Sequence, residues 1–148
     1  MASVKGGKRF EDALRNIASR LNKGALQVGF MENARYPDGT QVAMIAAIQE
    51  FWAPRAGIPP RPFFRSMIAA KSLEWPEAIA IQLKKTKYDV DLTLERVGLA
   101  ISEQLKQSIR DTNAPPLAFA TIRRKGHSKP LIDTGLMLRS ATYRVRKI

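Results

Sequence analysis

The side chains in this sequence that could do chemistry are few and far apart. His127 is the single histidine, inside the run Arg123-Arg124-Lys125-Gly126-His127-Ser128-Lys129. A zinc site needs several His or Cys ligands, and the chain has no cysteine and no second histidine. His127 therefore reads as an ordinary exposed loop residue. Asp133, six residues on, could act as an acid beside it. No nucleophile stands with the pair, so Asp133 is better read as a turn or helix cap. Asp89-Val90-Asp91 places two carboxylates where a long helix begins, which favours the positive end of the helix dipole. Gly6-Gly7-Lys8 lacks the spacing and the preceding strand of a phosphate loop. Glu50 closes an apolar helix. Either it is simply exposed or it pairs with Arg55, Arg61 or Arg65 and orients the Pro-rich stretch that follows. These residue types predict no enzyme, no bound metal and no cofactor.

Charge is the strongest compositional signal. Twenty-five Lys and Arg against 13 Asp and Glu give a net charge of +12, which implies a polyanion or an acidic protein surface as partner. Three basic clusters could meet it: Lys84, Lys85 and Lys87; Arg123, Arg124, Lys125 and Lys129; and Arg139, Arg144, Arg146 and Lys147. Phosphate contact by such clusters would be salt-sensitive and indifferent to base sequence. No helix-turn-helix, zinc-finger or RNA-binding signature accompanies them. Contact with an acidic neighbouring subunit is the competing reading. The absence of cysteine fits a reducing compartment. With no signal peptide at the N-terminus and no apolar run of spanning length, a soluble, cytoplasmic product with no membrane association is expected.

The elements that must position these residues follow from periodicity. At 148 residues one domain over 1–148 is expected. Residues 1–8 read as a flexible basic arm. Phe10, Ala13, Leu14, Ile17, Ala18 and Leu21 recur at helical spacing, and Gly24 suits a left-handed cap. Residues 25–31 alternate as a half-buried strand, in which Gly29 marks a close backbone approach. Asp38 and Gln41 stand at capping-box spacing before a helix over 40–51. That helix is apolar on every side, so it is buried all round or covered by neighbouring subunits. The stretch 53–65 holds four of the prolines and reads as a rigid arm. Phe63, Phe64, Met67 and Ile68 face inward from the helix after Pro62. Trp75-Pro76 starts a further helix covering Ala78, Ile79, Ile81 and Leu83, or continues one kinked helix over 62–85. A long helix over 90–110 buries Leu94, Val97, Ile101, Leu105 and Ile109.

Residues 113–130 form a long Pro-flanked basic connector, with room for a helical turn at 119–124. Connectors of that length in a compact domain are usually functional, lie at an interface, or are poorly ordered alone. Asp133-Thr134-Gly135 then caps a brief helix over 136–140, and residues 141–146 alternate as a strand antiparallel to 25–31. The fold class expected is α+β: several helices packed on a small antiparallel sheet, with long Pro-rich and basic connecting loops. The loops 53–65 and 113–130 are expected at subunit contacts.

Two stretches together resemble a known family. One is Val42-Ala43-Met44-Ile45-Ala46-Ala47-Ile48-Gln49-Glu50-Phe51 leading into Ile58-Pro59-Pro60-Arg61-Pro62-Phe63-Phe64-Arg65. The other is Ala120-Thr121-Ile122-Arg123-Arg124-Lys125-Gly126 leading into Lys129-Pro130-Leu131-Ile132-Asp133-Thr134-Gly135 and Leu138-Arg139-Ser140. In this order they are similar to tail-completion or virion-morphogenesis proteins of long-tailed bacteriophages, the group with minor tail protein Z-like and neck proteins. The resemblance implies a structural protein of the head–tail connector, working as a ring, commonly of six copies, around the DNA channel. It implies as partners the chain itself, neighbouring neck or tail proteins (connector, tail terminator or tail tube) and packaged DNA. It places the chain in the virion, and in the host cytoplasm during assembly. Contact residues implied are Trp52, Arg55, Arg61, Arg65, Arg123, Arg124, Lys125 and Lys129. The family usually has Gly after the Glu-Phe pair, where Trp52 stands here; this Trp is a subunit anchor or local packing. Leu117-Ala118-Phe119-Ala120 likewise replaces a Ser/Pro-rich helix start. The reading from another class is a small basic DNA-binding protein without sequence specificity.

Overall fold

A 22-residue helix, α5 (Val90–Asp111), is the spine on which the other elements pack. Asp89 caps it, its carboxylate accepting from the Leu92 N–H at 3.0 Å. Asp91 adds a second negative charge in the first turn; both carboxylates thus serve the positive helix end. The computed structural model describes residues 7–21 and 23–148. Most of the expected basic arm, residues 1–6, lies outside them, while Gly7 and Lys8 already belong to helix α1 (Gly7–Leu21).

The fold is α+β: seven helices among the described residues, around a two-stranded antiparallel sheet. Strand β1 (Gly24–Phe30) pairs with β2 (Ala141–Lys147) in the register Gly24↔Lys147 to Phe30↔Ala141. The pairs Leu26↔Val145, Val28↔Tyr143 and Phe30↔Ala141 share one face. The stripe Leu94, Val97, Ile101, Leu105 and Ile109 of α5 is buried as its spacing predicts. At Gly98 helix and sheet meet without a side chain between them: a Cβ there would lie 2.7 Å from Leu26 Cδ1 and overlap the Tyr143 ring. At Gly29, φ +151, the close neighbour is the Phe64 ring at 3.6 Å rather than another backbone.

Helices α2 (Val42–Phe51), α3 (Phe63–Lys71) and α7 (Leu136–Ser140) contribute Val42, Ala46, Phe63, Met67 and Met137 to the same core. α4 (Trp75–Lys85) is separate from α3, joined by a short turn, and packs on α5. Polar bonds fix these joints. Ser108 Oγ donates to Phe63 O at 2.6 Å, Trp75 Nε1 to Gln104 Oε1 at 2.9 Å, and the Thr86 and Thr93 hydroxyls share a hydrogen bond of 2.7 Å.

Several expectations give way here. Gly24 begins β1 and is not left-handed, so it caps nothing. α2 starts at Val42 with Gln41 as N-cap and no side-chain cap; Asp38 instead accepts from the Thr40 N–H in its own turn. Ile68 is exposed, and α4 buries no residue fully. The loop 53–65 is not extended throughout. Ala53 and Ile58 bridge each other around a 3-10 turn (Pro54–Ala56), and α3 takes the loop over from Phe63. The connector 113–130 holds helix α6 (Phe119–Lys125).

Replacing Gly98 by Ala is expected to destabilise the fold. Overpacking typically costs about 1–3 kcal/mol, against roughly 1 kcal/mol gained in helix propensity. Urea unfolding should show a lowered midpoint, with an even lower one for Gly98→Val.

Candidate functional site

The two stretches that carry the resemblance lie far apart in sequence, yet they meet in the fold. The arm after α2 and the connector that holds α6 are two walls of one open cleft of about 860 Å³. A third wall is the turn around Tyr36 and Asp38, and α7 contributes Leu136 and Met137.

What sets the arm in place is Glu50. It ends α2, is only 4% exposed, and points its carboxylate at the first turn of α3. Oε2 accepts from the Phe64 N–H at 2.9 Å, and Oε1 from the Arg65 N–H at 3.1 Å and from Arg65 Nε at 2.8 Å. Pro62, the N-cap of α3, offers no side-chain oxygen to those free N–H groups. Glu50 takes that role from twelve residues upstream. Of the three arginines the sequence offers as partners, Arg65 is the one used. Its Nη2 also donates to Glu50 O at 3.1 Å, at the negative end of α2, and its guanidinium lies 5.0 Å from the Phe51 ring centroid.

Arg61 has a different neighbour. It is 4% exposed, with Nε donating to Pro115 O at 3.0 Å and Nη1 to Gln49 Oε1 at 3.3 Å. Its backbone N–H donates to Gln49 O at 2.7 Å. Arg61 thus ties the arm to both α2 and the connector. Gln49 carried no signal in the sequence; its role follows from sitting one residue before Glu50 at the end of the helix. Burial lowers the Arg61 pKa, and a guanidinium in that position remains charged at neutral pH.

The basic run divides by task. Lys125 Nζ donates to Lys129 O at 3.2 Å and Pro130 O at 3.3 Å, holding the turn after α6. Lys129 Nζ reaches Arg110 O at 3.1 Å and Asn113 Oδ1 at 3.2 Å, at the C-terminal end of α5. Arg123 and Arg124 are exposed, as is Arg55 in the 3-10 turn. His127 is half-buried rather than exposed, and its Nδ1 accepts from the Lys129 N–H at 3.3 Å. Asp133 is not the cap of α7. Left-handed Gly135, φ +77, occupies that position, and Thr134 Oγ1 accepts from the Leu136 N–H at 3.3 Å. Asp133 instead faces Lys125 and Tyr36 electrostatically. Burial pushes the Lys125 ammonium below its ordinary range, opposed by the Asp133 charge and aided by Arg124 and Arg61. Burial raises the Tyr36 hydroxyl, with Asp133 and Asp38 adding to the effect.

Trp52 follows Glu50 and Phe51 and is 57% exposed. Its backbone has φ +102, a conformation that glycine adopts freely and other residues rarely do. Trp52 therefore holds a backbone conformation under strain.

Among the described residues, no group of three or more His, Cys, Asp or Glu is placed to hold a metal ion, and no helix is long and apolar enough to cross a membrane. Comparison of the chain with protein-family models, with curated proteins and with solved structures finds no match.

Removing the buried carboxylate should be costly. Glu50→Ala leaves the Phe64 and Arg65 N–H groups without their acceptor, and about 1–3 kcal/mol of stability should be lost, measured by urea unfolding. Lys125 gives a pH signature. Its folded pKa lies below the ordinary 10.5, so between the two values the unfolded chain binds more protons and stability rises with pH. Lys125→Met should lack that rise. The difference between the two proteins' stabilities, followed as pH rises towards the ordinary lysine value of 10.5, isolates the contribution of Lys125.

Proposed function

We propose that this chain is a structural subunit of a long-tailed phage virion, a tail-completion or neck protein that closes into a ring, six-fold in the simplest case, around the DNA channel. The family part of the reading rests on the resemblance of the two stretches, and the observation that supports assembly is Trp52. A large aromatic side chain is kept exposed at a backbone position whose conformation costs a non-glycine residue of order 1–3 kcal/mol. Such strain in a folded monomer is consistent with a side chain held ready for a partner, and Trp is among the residues enriched at the hot spots of protein interfaces. Phe51 beside it and Met44 one face over on α2 are also exposed. α2 was expected to be buried all round or covered by neighbours. In the single chain it is buried on one side only, with Met44, Ala47 and Phe51 exposed, which supports the second alternative.

Other apolar groups support assembly. The stripe on α1 predicted a buried face, but Phe10 is 68% exposed and Leu14 half exposed, and the helix is tied to α5 by the Arg20–Asp91 ion pair at 2.9 Å. Phe119 at the start of α6 is exposed as well. Head-to-tail contacts between unlike surfaces of identical copies close into a ring when the rotation permits. The neighbours in this reading are the connector, the tail terminator or tail tube and the packaged DNA, with the chain made in the host cytoplasm and retained in the virion.

A second reading, sequence-independent DNA binding, draws on exposed Arg123 and Arg124 and on exposed Lys84, Lys85 and Lys87. The readings separate on Trp52. Trp52→Gly should raise the stability of the monomer by about 1 kcal/mol, by releasing strain, while weakening self-association at least tenfold in sedimentation. It should leave duplex binding unchanged. Equal association of Trp52→Gly and the parent would count against the anchor. Electron microscopy of virions then decides the location: the chain should fit a ring between portal and tail tube, and its absence from the particle would sink the structural reading.

A further inference from the structure

Arg61 is a buried cation with no carboxylate partner among the described residues. Its two side-chain hydrogen bonds go to neutral acceptors, Pro115 O and Gln49 Oε1, and both leave from Nε and Nη1. Nη2 donates to nothing among the described residues. Yet no fully enclosed side-chain nitrogen lacks a partner among them, so Nη2 keeps some accessible surface, and Arg61 lines the cleft. Taking a guanidinium out of water without a counter-charge costs several kcal/mol. Two carbonyl-type acceptors repay part of that cost. The remaining edge of the planar fork fits a carboxylate.

The rest of the cleft says what kind of carboxylate. Its charged lining is Arg61, Arg124, Lys125, Asp38 and Asp133. Asp133 lies near enough to Lys125 for their charges to interact, and Asp38 is engaged by the Thr40 N–H. Arg61 and the exposed Arg124 are therefore left with uncompensated positive charge. The neutral lining mixes apolar Ile45, Ile58, Leu117, Met137 and several prolines with Thr40, Gln49, Thr121 and Thr134. A bare phosphate or a nucleic-acid backbone has nothing to place against the apolar side chains. A peptide with one acidic side chain between apolar ones has both parts, and a cleft of about 860 Å³ is of the size that holds such a ligand.

We propose that this cleft is a docking site for an acidic–apolar peptide segment of a partner protein, whose carboxylate closes on the free edge of the Arg61 guanidinium while its apolar neighbours cover Ile58 and Leu117. The inference stands apart from the ring reading, since it uses neither Trp52 nor α1 and can be tested on the isolated chain. Binding would also bring a negative charge towards Lys125 and draw its pKa back up.

The test is a titration of the full-length ¹⁵N-labelled chain, followed by NMR at the Arg61 Nε–H and at the Ile58 and Thr121 amides. The probes are the peptide acetyl-Ile-Glu-Leu-amide, its Gln counterpart, sodium acetate and inorganic phosphate. The Glu peptide should shift the Arg61 resonance and bind at least tenfold more tightly than the Gln peptide or acetate. Arg61→Gln should abolish the preference for Glu. Because that variant also loses the bond to Pro115 O, Ala118→Trp serves as a second: it fills the cleft from the rim, leaves Arg61 in place, and should block the peptide while acetate still reaches the guanidinium. Equal binding of Glu and Gln peptides overturns the carboxylate pairing. Acetate or phosphate binding as tightly as the Glu peptide overturns the peptide site and leaves a small-anion site only. No shift with any probe overturns the proposal altogether.

Discussion

The buried carboxylate of Glu50 is the interaction on which the arrangement of this molecule rests. A carboxylate taken out of water is stable only when its lone pairs are met, and here two backbone N–H groups and a guanidinium meet them. The same contacts solve a second problem, the uncapped N-terminus of α3, which has Pro62 where a Ser or Asp would ordinarily stand. Arg65 closes the figure by returning a donor to the last carbonyls of α2. Two helix ends of opposite polarity, a buried acid and a half-exposed base therefore satisfy one another. The chain between them, residues 51–62, has no freedom to choose its path.

That fixed path is what creates both candidate surfaces. Because α2 must end with Glu50 facing α3, the chain has to reverse at once, and Trp52 takes a positive φ to do it. Because the arm then returns along α2, the Arg61 N–H meets Gln49 O and its side chain enters between α2 and the connector. The exposed aromatic on one side and the buried cation on the other are consequences of one turn. A change at Glu50 should therefore be felt at both.

The parts of the fold legible in the sequence were those governed by period. The α5 stripe needs only a repeat of 3.6, and the two strands only a repeat of two; both elements form where their patterns lie. Strand partnership was legible too, since Leu26, Val28 and Phe30 had a matching alternation at Tyr143 and Val145. Caps were read less well. Gly24, Asp38, Gln41 and Asp133 all have residue types that favour a cap, but a cap also depends on the φ and ψ that the next element imposes, and the sequence does not carry those. The α1 stripe shows a related limit: periodicity tells which face is apolar, not whether anything in the same chain covers it. At the site, the choice among Arg55, Arg61 and Arg65 for Glu50 turned on three-dimensional spacing. Arg65 stands one turn into α3, beside the N–H groups that Glu50 already holds, whereas Arg61 is drawn away by Gln49 and Pro115.

Charge sets the last constraint. A subunit of net charge +12 repels its own copies, and at physiological salt that repulsion reaches only about 8 Å before it is screened. In the proposed ring, contacts between copies would have to come from short-range apolar burial, the kind that exposed Trp52, Phe51 and Phe10 offer. An acidic partner meets no such barrier. It is drawn towards the chain over the whole screened range, and only one of its carboxylates needs to reach a buried cation to fix its register. The division of labour follows from the physics of the two forces. On the two proposals made above, copies of the chain would meet through the aromatic side chains at the end of α2, and an acidic partner would be received in the cleft that Arg61 lines.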